Sequence, residues 1–241
     1  MNTNLAREEI VENIVTNMYG LPTVTKEMLK FKQSEGLVNK TLKRIIDIIG
    51  ALVGIIILIP MTVVLYIVNF IVGDRGPIFY SQNRIGKDGK IFKMYKFRSM
   101  VMGADEKLEK YLEENEEARK EYKINKKLKN DPRITKIGMF IRKTSIDEFP
   151  QFVNVLKGEM SLVGPRPYLP REFEDMGDAY HYITAVKPGV TGLWQVRGRN
   201  DVTFAERLNF DIEYYHNHNL NYDVKILVKT IQKLIKKEGA L

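Results

Sequence analysis

The sequence predicts an α+β fold, mainly helical with a small β-hairpin, held at a membrane by a single re-entrant helix near the N-terminus. Three features predict it. Ile48 to Gly73 carries no charge and has Pro60 near its middle. Two short runs rich in aromatic and branched residues bracket a Gly-bounded turn. Most of the remaining chain shows helical periodicity or the charge pattern of exposed helices.

Residues 1–39 read as an accessory segment. Ile10, Val11, Ile14, Val15 and Met18 give short helical periodicity, and Gly20, Pro22 and Gly36 punctuate the rest. Residues 40–74 read as the membrane element. As one helix, Ile48–Gly73 would reach about 39 Å, more than the ~30 Å hydrocarbon core. A core helix of a small soluble domain is not apolar all round. The late start, the preceding Glu8, Glu9 and Glu12, and the missing small-residue cleavage site argue against a signal peptide.

Both flanks of the run are basic: Lys40, Lys43 and Arg44 before it; Arg75, Arg84, Lys87 and Lys90 after it. Basic flanks stay on the cytoplasmic side. A simple span would send one flank across. A helix that enters one leaflet, breaks at Pro60 and returns keeps both on one side. Pro60 has no N–H and crowds the carbonyl of Ile56, so it supplies the bend. A re-entrant helix is therefore expected over a span. Arg44 and Asp47 either pair at the interface or stand as ordinary flanking charges.

Residues 75–241 read as a cytoplasmic domain with amphipathic interfacial helices. Ile78–Tyr80 and Ile91–Phe97 are predicted strands joined at Gly86–Gly89. The second ends in Lys96-Phe97-Arg98-Ser99-Met100, either a solvated basic face or a substrate contact. Ala104–Lys129, acidic first and basic later, suits an exposed helix. A second helix is expected from about Arg133 through Ile141. Phe204–Tyr215 reads as a helix. Tyr222–Lys237 sets Val224, Leu227, Val228, Ile231, Leu234 and Ile235 against five lysines. Such a helix lies on anionic lipid or packs on the core.

The stretch Asp131–Pro167, DPRITKIGMFIRKTSIDEFPQFVNVLKGEMSLVGPRP, concentrates the chemistry. Ser145-Ile146-Asp147-Glu148 matches a capping box, so both acids could simply start a helix. Pro150 conflicts with a cap at Ser145 and fits a start nearer Asp147. Either register puts Asp147 at the positive end of a helix, which favours its ionised form. A rigidly held carboxylate can attack phosphorus and form an acyl phosphate. Adjacent helical residues point about 100° apart, so one acid would attack while the other binds a metal. Mg2+ takes one or two carboxylates plus substrate phosphate oxygens. Arg166, between Pro165 and Pro167, suits a diphosphate, and Arg98 and Arg142 could share that charge.

Composition narrows the rest. The net charge of +8 and pI near 9.4 fit anionic lipid, phosphorylated substrates or nucleic acid. Without cysteine there is no disulfide framework or thiolate metal site. There is no Walker A loop, no G-x-G-x-x-G and no H-E-x-x-H. His181, His216 and His218 make no metal-ligand pattern. In the Gly-rich region around Trp194, core packing is favoured over stacking on a nucleobase. Lys187, Arg197 and Arg199 are candidate nucleotide-binding residues.

From about Thr41 to the C-terminus the chain resembles the bacterial sugar transferases, monotopic phosphoglycosyl transferases of the polyprenyl-phosphate hexose-1-phosphate transferase type. The resemblance rests on the basic-flanked helix with its proline, on KFRSM, on the Asp131–Pro167 stretch and on KPGVTGLWQVRGRND. It implies that Asp147 attacks the sugar-bearing phosphorus of a UDP-sugar and releases UMP. The phosphosugar then passes to a polyprenyl phosphate. Glu148 would hold Mg2+, with Mn2+ as a substitute, and Arg142 and Arg166 would engage phosphate, joined by Lys96 and Arg98 of the KFRSM motif. Membrane lipid is an implied partner and nucleic acid is not; a homodimer stays open. The setting implied is the cytoplasmic face of a bacterial inner membrane, at the first membrane step of exopolysaccharide or O-antigen synthesis. Some members have a serine before the breaking proline where this chain has Ile59, so break geometry can differ. Larger members carry several N-terminal membrane helices and a further domain; here residues 1–39 precede the run. The rivals are a non-catalytic basic adaptor on the membrane surface and a one-step transferase in which Asp147 acts as a base.

Overall fold

The computed structural model describes residues 37–198 and 202–236. Most of the segment 1–39, together with Arg199 and Lys237, lies outside them. The described residues are mainly helical, with two small two-stranded sheets.

Helix α1 (Leu37–Ile71) is the one described helix long and apolar enough to cross a membrane. Helical backbone runs through Pro60 without interruption, and Thr62 Oγ1 donates to Leu58 O at 2.8 Å. One stripe of α1 is covered: Asp47, Ala51, Gly54 and Leu58 are buried, and Met61 and Leu65 pack beyond them. Their spacing of three and four residues is a helix face. Ile49, Ile56, Val63, Ile67 and Ile71 on other faces are exposed.

The foot of α1 is tied to the domain by its charges. Lys43 Nζ donates to Asp223 and to Val163 O. Arg44 donates to Val155 O and Leu156 O at 2.7 and 2.9 Å. Asp47 Oδ1 accepts from Ser161 Oγ and Leu162 N at 2.9 and 2.8 Å. Of the two readings left open for Arg44 and Asp47, neither describes these bonds: each side chain is taken up by groups of the domain that meet this face of the helix.

Strand β1 (Phe79–Ile85) pairs antiparallel with β2 (Ile91–Phe97), from Phe79↔Phe97 to Ile85↔Ile91. β1 extends past the expected Tyr80. Its polar Ser81–Arg84 lacked a strand signature, and pairing with apolar β2 decides it. The acidic-to-basic stretch is two helices, α2 (Ala104–Glu114) and α3 (Glu116–Asn125). Asn115 divides them: its backbone is extended and its side chain accepts from Ala118 N. Helix α4 (Lys136–Lys143) starts at the Thr135 cap rather than at Arg133. Arg133 is instead bonded through Nε and Nη2 to Asp131 at 2.8 and 2.6 Å.

A 3-10 turn, Ile146–Glu148, leads through Pro150 into α5 (Gln151–Lys157). Then come β3 (Ser161–Val163), α6 (Phe173–Met176), α7 (Ala179–Thr184), β4 (Gly189–Thr191) and α8 (Leu193–Arg197). β3 and β4 are parallel, with Ser161 opposite Gly189 and Val163 opposite Thr191. A Cβ on Gly189 would stand 2.1 Å from Gly164 N, so only glycine lets the two backbones approach this closely. α9 (Phe204–Asn217) begins with a Thr203–Glu206 capping box, and α10 (Leu220–Lys236) completes the described chain.

The main core joins Met94, Val155, Met160, Val163, Leu193 and Tyr214 from six elements and loops. α10 packs on the core through buried Ile226, while Val224, Val228, Ile231 and Ile235 form an exposed apolar row. In pure water such rows are unfavourable; beside the exposed faces of α1 they suit a lipid boundary.

Candidate active site

The Asp147-Glu148 pair does not open a conventional helix. Ser145 takes a left-handed conformation, φ 57°, and makes no side-chain cap. The chain turns there and enters the 3-10 turn, with Pro150 in the N-cap position of α5 and φ −60°. Pro150 thus sits where its missing N–H costs nothing. The capping box is absent, and the acids are left to side-chain partners.

Those partners converge. Lys96 Nζ, from the end of β2, lies 3.8 Å from Asp147 Oδ2 and 3.1 Å from Glu148 Oε1. The two acids, expected to face apart, meet one ammonium. A 3-10 turn is tighter than an α-helix, and Lys96 sits between the two directions. Asp147 is buried, 7% exposed, whereas Glu148 is half-buried and lines a cleft. Burial pushes the Asp147 carboxyl above its usual range; Lys96 and Arg142 oppose this and Glu148 adds to it. The sequence argument placed Asp147 at a helix terminus that favours its ionised form; in the folded chain burial acts in the opposite direction and is the largest influence on the carboxyl.

Arg142 reaches this group from α4. Its Nε donates to Ser99 Oγ at 2.8 Å, and burial lowers its pKa while Asp147 raises it. Ser99 O in turn lies against Gly138 of α4, which has no room for a Cβ. Ile146 and Phe149, on either side of the acids, belong to the same apolar cluster as Leu58, Met61 and Leu65 of α1. The acidic turn is therefore joined to the apolar helix near Pro60 through a shared cluster.

The cleft beyond Lys96 and Glu148 is lined by Gln151, Arg166, Trp194 and Gln195, with Arg84 at its wall. Pro165–Pro167 holds Arg166 there. The backbone N–H of Arg166 donates to Asp211 Oδ2 at 3.2 Å, and Tyr168 Oη donates to the same oxygen at 2.8 Å. The Arg166 guanidinium stands 5.4 Å from the Trp194 ring centre.

Of the residues singled out from sequence, Lys96, Asp147, Glu148, Arg142 and Arg166 are brought to one region. Arg98 is not in the cleft: it donates to Asp74 at 2.7 Å and to Pro77 O at 2.6 Å, fixing the chain as it leaves α1. That bond is the main cause of the lowered pKa of Asp74. Lys187 faces the foot of α1, where burial and then Arg44 lower its pKa. Arg197 pairs with Glu213 at 2.6 Å. Arg199 lies outside the described residues. Sequence reading missed Arg84 and Gln151. Arg84 hides in a polar strand and Gln151 follows a proline, so neither carries a local signal. Trp194, favoured for the core, lines the cleft instead.

No group of three His, Cys, Asp or Glu side chains stands ready for a metal among the described residues. The adjacent carboxylates still fit Mg2+, which takes few protein ligands and completes its shell with phosphate and water.

Residues 38–237 match the family model described as Bacterial sugar transferase. The chain is 49% identical over 202 residues to a UDP-galactose-lipid carrier transferase of Erwinia amylovora, covering 84% of this chain and 42% of that protein. It is 48% identical over 202 residues to an undecaprenyl-phosphate galactose phosphotransferase of Salmonella typhimurium, with the same coverage of 84% and 42%. It is 41% identical over 199 residues to the exopolysaccharide production protein ExoY of Rhizobium meliloti, covering 82% of this chain and 87% of that protein. The chain thus spans about two fifths of the first two relatives and most of the third.

Proposed function

The chain belongs to the bacterial sugar transferase family, and we propose that it moves a hexose-1-phosphate from a UDP-sugar to undecaprenyl phosphate, releasing UMP. One observation carries this reading. The buried Asp147 and the cleft-facing Glu148 share Lys96, beside a cleft lined by Arg166, on a turn whose flanking Ile146 and Phe149 share an apolar cluster with α1. A water-borne diphosphate and a lipid-borne phosphate can both reach such a place. The names of the relatives support the two substrates.

In the first step an Asp147 carboxylate oxygen bonds to the sugar-bearing phosphorus. The bond from that phosphorus to the bridging oxygen breaks, and UMP leaves with the electron pair. In the second step a phosphate oxygen of the lipid attacks the same phosphorus and returns Asp147 to a free carboxylate. The product is a polyprenyl diphosphate sugar. Lys96 and Arg142 favour the ionised Asp147 that attack requires. Arg166 binds phosphate. Glu148 would hold Mg2+, or Mn2+, which supplies charge neutralisation on the phosphate oxygens.

The same proposal extends to topology. α1 enters and leaves on the cytoplasmic face of a bacterial inner membrane, bending at Pro60. Both flanks are basic, and the covered stripe from Asp47 to Leu65, about 27 Å long, ties α1 to a charged domain that stays out of the hydrocarbon. The activity belongs to the first membrane step of exopolysaccharide or O-antigen assembly.

A second reading, one-step transfer with Asp147 as general base, is favoured by its raised pKa. One experiment separates them. The full chain in detergent is incubated with Mg2+ and radiolabelled UDP-galactose or UDP-glucose, without lipid acceptor. The covalent route puts label on the protein and releases UMP, and Asp147→Asn abolishes both. UMP release without protein-bound label, or lipid transfer that survives in Asp147→Asn, sinks the nucleophile.

A further inference from the structure

Arg84 is a buried guanidinium with structural duties and a charge left over. Nη1 donates to Pro167 O at 3.0 Å and Nη2 to Gln82 Oε1 at 2.8 Å. Its Nε has no hydrogen-bond partner, and neither has Nε of Arg166. Among the described residues neither guanidinium forms an ion pair with a carboxylate. The nearby acids are held by other groups: Asp211 Oδ2 accepts from Arg166 N and Tyr168 Oη while its Oδ1 has no hydrogen-bond partner, and Glu172 accepts from Leu169 N at 2.7 Å. Burial, and next the charge of Arg166, lower the Arg84 pKa to about 10. Two like charges so placed are costly until an anion meets them. Both residues line the cleft that also holds Lys96 and Glu148.

We propose that Arg84 and Arg166 together bind the phosphate that departs with the nucleotide, while Lys96 serves the phosphate that is transferred. This rests on the donor reading above. Lys96 touches the acids, and Arg166 lies toward Trp194, so the two cationic groups serve different ends of a diphosphate. When the phosphorus–oxygen bond breaks, the departing phosphate gains one negative charge. Guanidiniums, planar and always charged, suit that oxygen-rich group.

Trp194, the chain's one tryptophan, lines the same cleft and reports occupancy by its emission. The full chain in detergent with Mg2+ is titrated with UDP, inorganic pyrophosphate and uridine, for wild type, Arg84→Gln and Arg84→Lys. Melting curves establish that each variant is folded. Arg84→Gln is expected to weaken UDP and pyrophosphate at least tenfold and leave uridine unchanged. Arg84→Lys recovers part of the loss. A folded Arg84→Gln that binds both anions within twofold of wild type overturns the inference and leaves the donor reading standing. Pyrophosphate binding that depends on Arg84, with no UDP binding, supports the anion subsite and sinks the nucleotide donor. Wild type binding neither anion overturns both. Should Arg84→Gln not fold, Arg84→Lys decides: a three- to tenfold loss supports the subsite, and unchanged affinity overturns it.

Discussion

Lys96 Nζ stands 3.1 Å from Glu148 Oε1 while also reaching Asp147 Oδ2 at 3.8 Å, so one ammonium compensates two adjacent carboxylates. Its removal leaves the buried Asp147 beside the half-buried Glu148, with Arg142 as a cation near both. Lys96→Gln is expected to lower kcat/KM by about 10- to 100-fold, with Lys96→Arg retaining more. Steady-state UMP release checks this; activity within threefold of wild type would show that the contact is incidental.

The seating of α1 on α5 depends on a missing side chain. A Cβ on Gly54 would lie 2.2 Å from Phe152 Cδ2. Gly54→Ala gains up to about 1 kcal/mol of helix propensity, but overpacking costs about 1–3 kcal/mol. The net expectation is a lower melting temperature, with the Gly54→Ala penalty shrinking or vanishing when it is measured in a Phe152→Ala background. Additive effects of the two substitutions would contradict the contact.

Asp211 gives a pH dependence with a definite sign. Burial raises its carboxyl to about 7, against the hydrogen bonds of Tyr168 and Arg166 N. Its unfolded value is near 4, so between these values the native state holds the extra proton. Its contribution to stability is full at the acid end and is lost as pH rises toward 7 and above. From pH 5 to pH 8 wild type should lose on the order of 2 kcal/mol relative to Asp211→Asn. Melting temperatures of the two proteins across that range test it; parallel curves would mean that Asp211 is charged throughout.

Topology is open to labelling because the chain has no cysteine of its own. Lys40→Cys, in the first turn of α1, and Arg75→Cys, just past its end, bracket the apolar run, and both positions are exposed. A membrane-impermeant maleimide should label neither in intact cells and both in inverted membranes. Labelling of the two from opposite sides would establish a span and end the re-entrant proposal.

Much of this protein was legible in order of residues alone. The apolar run, the hairpin turn, α9 and α10 follow from periodicity and punctuation, which act over a few residues. The acid pair and the Pro-bounded Arg166 stood out for the same reason. The family resemblance, resting on long motifs, was likewise a property of the linear chain.

Tertiary structure decided the rest. It showed that Arg98 and Arg44 are spent on Asp74 and on backbone carbonyls, and that Trp194 lines a cleft. It turned the capping box into a 3-10 turn and brought both acids to Lys96, 51 positions from Asp147 and 52 from Glu148. It found Arg84, which no local pattern marks. Sequence by itself determined which segments are apolar, helical or dense in acids and bases, since those properties reside in neighbours along the chain. Which cation meets which anion, and whether burial or a helix terminus governs Asp147, depends on distance and desolvation, and these exist only once the chain has folded.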